Sequence, residues 1–236
     1  MNRWVFPIDV GLWSDEAPHR VCNAGVTCVL IPFAATVVHY QRIIQYFDNL
    51  FSAYHAVSAQ DPSNNGLQVE GTEEVSRVAF GVDASVRLFR SAVEAGADLI
   101  FVHHGLSWKD NQRYLTGGAA TRLRWLFQHN VGLYASHLPL DAHNTVGNNA
   151  VIAKALALKD AKGFFFCGGV PLGLRGRLPQ ELSAKDLKER LDVLLSSESC
   201  VYNAGRMIRS VGIVSGDAAE AVAECGRVLR LYDRAL

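Results

Sequence analysis

Two short segments of this chain carry side chains able to do chemistry. In Phe101-Val102-His103-His104-Gly105 a pair of adjacent histidines follows an apolar run, and in His137-Leu138-Pro139-Leu140-Asp141-Ala142-His143 a histidine is followed four residues later by an aspartate. Imidazole nitrogen combined with carboxylate oxygen suits a divalent transition metal, whether zinc, iron, manganese or nickel, without a sharp choice among them. Neighbouring side chains of a regular strand point to opposite faces, so His103 and His104 do not easily bind one ion. At a strand end that turns at Gly105 they can instead serve two neighbouring ions, one each. Asp141, read as lying in a non-helical, proline-containing loop, is a further candidate ligand, and His137 a candidate proton shuttle or supporting group. The bland alternatives are helix caps and satisfied core groups. Two polar rings in succession at the end of an apolar strand favour the metal.

Other polar positions carry weaker signals. Asn64-Asn65-Gly66-Leu67-Gln68 reads as a turn, Asp83 as a cap for the helix after it, and His143 and Asn144 as turn stabilisers. His19, His39, His55 and His129 have no clustered acidic or thiol partners. Gly117-Gly118 and Gly168-Gly169 lack the spacing of a phosphate cradle, and neither a Gly-x-Ser-x-Gly elbow nor a cysteine beside a histidine occurs.

The elements that must position these residues follow from hydrophobic period. Ile43, Ile44, Phe47, Leu50 and Phe51 give a helix over residues 41–54, and Asp61 to Gly66 a loop. Val75 to Val82, Leu99 to Val102 and Val131 to Ala135 read as buried strands. Between them lie helices over 84–95, ended by Gly96, and 119–129, with Leu123, Leu126 and Phe127 on one face. A helix over 146–158 follows, and Cys167 to Leu174 is a boundary or a tight connection. Pro179 to Leu195 reads as one helix with Ser183 and Asp186 in capping-box-like spacing, Met207 to Val214 as a strand, and Ala218 to Leu231 as a last helix. The alternation predicts an α/β fold, a mostly parallel or mixed sheet flanked by helices, with functional residues past the carboxyl ends of the strands.

Composition sets the outer limits. The 236 residues suffice for a substantial core, and 23 basic against 23 acidic residues leave no overall field toward nucleic acid or an anionic membrane. Five cysteines, an odd number without C-x-x-C spacing, fit thiols in a reducing cytosol. Val21 to Val38 is the most apolar stretch, but Asn23, Thr27 and Pro32 interrupt it, and Asp9, Asp15 and Glu16 argue against a secretory signal. The expectation is a cytoplasmic protein with no membrane partner. Residues 1–37 are left as an unassigned N-terminal extension to an α/β domain over 38–236.

Three segments, Asp61 to Gly71, Gly96 to Gly105 and Tyr134 to Asp141, resemble in order and spacing the Nif-three-like family, the homologues of GTP cyclohydrolase 1 type 2. The resemblance implies two similar lobes around a dinuclear metal centre, a toroidal homohexamer, and ligand positions at His103, His104 and Asp141. It also implies further ligands from a C-terminal motif, a His followed four residues later by a Glu. No His follows His143 here, and the last matching piece is Arg209 to Gly216, so the domain is expected to be incomplete at its C-terminal end. Three ligands can still hold one ion with water at the open position. Two functions are then open, a metal-dependent hydrolase acting on a nucleotide or another small phosphoester with one or two ions, and a non-catalytic metal-binding oligomeric scaffold or regulator.

Overall fold

The computed structural model describes residues 29–32, 37–109, 111–202, 205, 207–218 and 220–221. The chain before Val29 and the expected last helix beyond Ala221 lie outside them. The fold comprises two compact units, the first ending at Pro139 and the second beginning at Leu140.

The first unit runs β1 (Val29–Pro32), β2 (Val38–His39), α1 (Tyr40–Phe51), α2 (His55–Ser58), β3 (Gly66–Val69), β4 (Glu74–Val75), β5 (Arg77–Asp83), α3 (Val86–Glu94), β6 (Leu99–His104), α4 (Gly117–His129) and β7 (Gly132–Ala135). Its five-stranded sheet has the order β1-β5-β6-β7-β3. The central three strands are parallel, and β1 and β3 are antiparallel edges, so the sheet is mixed. Part of the unassigned extension therefore completes the sheet, with Val29 opposite Phe80 and Pro32 opposite Arg77. A proline is compatible with an edge strand because its missing N–H faces away from the ladder.

The two faces of the sheet differ in chemistry because the side chains alternate. Phe80, Phe101 and Tyr134 are register partners on three adjacent strands, with ring centroids 5.4 and 5.5 Å apart across the two strand pairs. Phe47 of α1 lies 5.0 Å from both Phe101 and Tyr134. Ala79, Ile100 and Leu133 are register partners on the opposite face, in one core with Leu88, Phe89 and Ala92 of α3 and Leu126 of α4. Each large side chain so buried contributes about 1.5–3 kcal/mol. Phe127 is not on that buried face: it is 65% exposed, so the expected apolar stripe of α4 is narrower than its sequence implies. Ser85, not Asp83, caps α3, its Oγ accepting from the Leu88 N–H at 3.2 Å.

A short helix, α5 (Leu138–Ala142), leads into α6 (Asn148–Ala155), β8 (Lys159–Cys167), β9 (Val170–Leu182), α7 (Ala184–Leu195) and β10 (Ile208–Ile213). The last three strands form an antiparallel sheet ordered β10-β9-β8. The connection at Cys167 to Leu174 is tight: β8 and β9 form a hairpin through Gly168 and Gly169, whose φ values of 58° and 79° favour glycine. Leu178 and Leu182 of β9 share a core with Leu187 and Leu191 of α7 and Ala153 of α6. The helix expected from Pro179 begins only at Ala184, with the Ser183 Oγ accepting from the Asp186 N–H as its cap. Residues 179–182 belong to β9, where the pairing with β10 shifts register between Arg177 and Leu182. Such an irregularity is where a strand tolerates proline.

Candidate metal centre

His103 and His104 are the last two residues of β6, at the carboxyl end of the central parallel strand. The strand runs two residues further than the apolar pattern indicated, yet the rings do not diverge: their centroids are 4.5 Å apart. That spacing is compatible with one shared ion and equally with two neighbouring ions, one on each ring. At the end of a strand the side chains are no longer confined by neighbours ahead of them, and both rings occupy the same edge. His137, just past β7, joins them at 4.9 Å from His103 and 5.5 Å from His104. One ligand atom from each of the three histidines lies within 4.8 Å of the other two.

Each imidazole is held at its Nδ1 by an oxygen. His103 Nδ1 donates to the Ser136 carbonyl at 3.1 Å, His104 Nδ1 to Asp83 Oδ1 at 2.6 Å and His137 Nδ1 to Asp61 Oδ1 at 2.8 Å. These acceptors select the tautomer in which Nδ1 carries the proton and Nε2 the lone pair. The same arrangement serves metal-binding histidines, because the outer hydrogen bond fixes the ring and raises the basicity of the nitrogen that faces the ion. Three such nitrogens fit a borderline divalent ion of the zinc, iron, manganese or nickel type.

The Asp61 side chain is fully buried beside a half-buried His137. Burial pulls its carboxyl upward, but hydrogen bonds from the His137 ring, the Asn65 side chain and the Ser63 and Leu138 backbones outweigh that and hold it below the usual carboxylate range. Asn65 also reaches back, its Oδ1 accepting from the His137 N–H at 2.7 Å. The segment read as a turn at Asn64 to Gln68 is thus partly strand β3 and partly a brace for the site. Gln68 Oε1 accepts from the backbone N–H of Leu106 and Ser107, at 2.7 and 3.0 Å. Gly105 is required by space: a Cβ there would overlap the Gln68 amide and the Ala135 side chain. Trp108 follows, its ring centroid 5.0 Å from that of His137 and 6.2 Å from that of His104.

Asp141 lies in α5, a helix and not a loop, and is buried; its Oδ1 accepts from Asn148 Nδ2 at 2.7 Å and from Ser215 Oγ at 2.6 Å. His143 is a turn group as expected, its Nδ1 accepting from the backbone N–H of Val146 at 3.2 Å. His39 caps α1 through Nδ1. Sequence reading missed Asp61, Gln68 and Trp108 as parts of the site and assigned Asp83 to a cap. Only the aspartate before a proline, in a turn-rich stretch, hinted that Asp61 was tied to backbone donors.

Fold and site together define an α/β protein with a histidine cluster at the carboxyl edge of a mixed sheet. The chain belongs to the DUF34/NIF3 (NGG1p interacting factor 3) family, whose profile matches residues 38–228. It is 45% identical over 166 residues to a GTP cyclohydrolase 1 type 2 homolog of Deinococcus radiodurans, covering 70% of this chain and 62% of that protein. This chain therefore spans less than two thirds of that relative. It is 42% identical over 184 residues to the homolog of the same name from Archaeoglobus fulgidus, covering 78% and 71% respectively. The fold is similar to that of TTHA1606 from Thermus thermophilus, with a TM-score of 0.68 at 36% identity over 79% of this chain and 74% of the other. Among the described residues no helix is long and apolar enough to cross a membrane.

Proposed function

We propose that this chain is a metal-dependent hydrolase of a nucleotide or another small phosphoester, with its ion on the histidine cluster. The observation that carries this reading is the convergence of His103, His104 and His137, each with Nδ1 already on an oxygen acceptor. Groups built only for packing have no need of a shared tautomer. A divalent ion bound there would supply Lewis acidity toward a carbonyl or phosphoryl oxygen and lower the pKa of water toward neutrality.

The chain's own residues have distinct tasks in this reading. His103 and His104 present nitrogen donors from one rigid strand, and Asp83 and the Ser136 carbonyl keep those rings from turning. His137 is either a third donor or the group that moves a proton at Nε2, with Asp61 holding its other nitrogen. Asp141 is assigned as a ligand by its family position, its carboxylate oriented by Asn148 and Ser215. The names of the relatives favour a nucleotide substrate, and family resemblance favours a homo-oligomer, in particular a hexamer, in the cytoplasm.

The test is elemental analysis of the purified, dialysed protein beside a His103→Ala/His104→Ala variant, followed by hydrolysis assays on GTP and a generic phosphoester. The reading expects bound transition metal in the wild type, loss of it in the variant, and hydrolysis that follows the metal. Absence of metal from the wild type overturns it. Metal without hydrolysis overturns the enzymatic half and leaves a metal-binding scaffold.

A further inference from the structure

We infer that Trp108 is an aromatic platform beside the histidine cluster, and that the ligand of this site carries a planar heterocyclic ring which stacks on the indole. The inference rests on the proposed function for its site and narrows that function's substrate class, from any small phosphoester to one bearing a nucleobase-like ring.

The Trp108 indole is fixed against the cluster. Its centroid lies 5.0 Å from that of His137, with the two planes at 67°, and 6.2 Å from that of His104, so it borders the cluster on the side of two of the three rings. Its Nε1–H donates to the Gly105 carbonyl at 2.7 Å, and its backbone N–H to Asn111 Oδ1 at 2.9 Å. The same segment is fixed by Gln68 through the Leu106 and Ser107 N–H groups, and by Asn111 Nδ2 on the Leu106 carbonyl at 2.9 Å. Trp108 also bridges to Ser63, two residues from Asp61. The ring is thus anchored at both its polar atom and its backbone.

Two consequences follow. The only hydrogen-bonding atom of the side chain is already used, so the residue has nothing polar to offer a ligand; what remains is the π surface of a half-buried ring. A stacking platform requires a ring that is partly exposed, and Trp108 has that exposure beside the histidine cluster. Stacking of a base on an aromatic side chain tolerates any base, because every base has a π face, and its loss weakens binding roughly tenfold or more. The platform therefore selects for the presence of the ring, and leaves its identity to groups not yet assigned.

The experiment compares GTP with tripolyphosphate by calorimetry on the whole 236-residue chain, metal-loaded, for the wild type, Trp108→Phe and Trp108→Leu. Guanosine is titrated separately into chelator-treated protein, with tryptophan fluorescence as the readout. The inference expects the wild type to prefer GTP over tripolyphosphate by roughly tenfold or more. It expects Trp108→Phe to retain most of that preference, and Trp108→Leu to bind both alike with unchanged metal content and circular dichroism. Guanosine should quench the wild-type fluorescence and leave Trp108→Leu unaffected. Equal wild-type binding of GTP and tripolyphosphate overturns the inference, as does an undiminished preference in a folded Trp108→Leu protein. Failure of the metal reading shows separately, as wild-type protein without metal; the guanosine titration then still decides for or against the platform.

Discussion

Asp61 and His137, 76 residues apart in sequence, meet through a 2.8 Å hydrogen bond between a fully buried carboxylate and a half-buried imidazole. The contact ties the loop before β3 to the segment just past β7, and sets which nitrogen of His137 faces its neighbours. Because Asp61 also accepts from the backbone N–H of Ser63 and Leu138 and from Asn65, the orientation of His137 is inherited from a braced loop.

Replacing Asp61 separates orientation from folding. Asp61→Asn preserves shape and one acceptor oxygen but removes the charge, and its amide can turn an N–H toward the ring, which disfavours the Nδ1–H tautomer. The expected result is metal affinity lowered by about 10–100-fold, the range found when a partner behind a metal histidine is lost. Asp61→Ala strands several donors as well and should cost about 2–4 kcal/mol of stability in addition. Competition with a chromogenic chelator and urea denaturation read the two effects separately. Unchanged affinity in Asp61→Asn would remove the orienting role.

His137 can be a donor or a proton carrier, and one variant distinguishes them. If its Nε2 is a third donor, His137→Ala should lower metal content or affinity along with any hydrolysis. If it carries a proton, metal should stay bound while the rate falls by about 10²–10⁴-fold, the usual contribution of a positioned acid–base group. Elemental analysis of the same preparation used for the assay decides the point.

Chelation should register in stability as well as activity. An ion that binds only the folded chain stabilises it by about 2.7 kcal/mol when present at a hundred times its dissociation constant. Chelator-treated wild type is therefore expected to melt lower than metal-loaded protein, and the difference should vanish in His103→Ala/His104→Ala. A melting temperature insensitive to metal in the wild type would contradict a folded-state site.

Much of this arrangement was legible along the chain, for identifiable reasons. The apolar run ending in His103 and His104 marked both the strand and the end at which the histidines gather, because a central parallel strand is buried on both faces and its polar residues are confined to its tip. The convergence of His137 with that tip followed from adjacent parallel strands ending at one edge. The orienting groups were not legible, since Asp61 and the Ser136 carbonyl act across 76 and 33 residues and no local period records such contacts. Residues 179–182 misled for another reason. Leu178 and Leu182 are four apart, and with Pro179 and a capping serine nearby they imitate a helix start, although tertiary pairing holds them in β9. Phe127 has the spacing of a core residue, and it is the position of α4 on the sheet, absent from any single-helix pattern, that leaves it exposed.

The aromatic ladder that supports β6 should be costly to interrupt. Phe101 is 3% exposed and contacts the rings of Phe47, Phe51, Phe80 and Tyr134, so Phe101→Ala removes the centre of a packed group two residues from His103. A loss of about 3–5 kcal/mol is expected from urea unfolding, against less than about 1.5 kcal/mol for Phe101→Leu. A cost near that of an exposed site would mean that the ladder does not anchor the strand.

Tyr134 makes stability sensitive to alkali. Burial first, and then the charge of Asp48 and the 2.9 Å hydrogen bond to its Oδ1, push the Tyr134 hydroxyl well above an ordinary tyrosine. For a group whose folded-state pKa is raised, the stabilisation is complete below the unfolded value and is lost as pH rises beyond it. The window therefore opens at about pH 10, where tyrosine in the unfolded chain begins to ionise while Tyr134 in the folded chain stays neutral. Unfolding free energy should fall as pH is raised through that range, and part of the fall should disappear in Tyr134→Phe. At neutral pH the same substitution should cost only about 0.5–1.5 kcal/mol, one hydrogen bond, because Asp48 is exposed and regains water. Urea titrations at several alkaline pH values on both proteins measure this, and identical slopes would show that Tyr134 ionises no later in the folded chain than in the unfolded one.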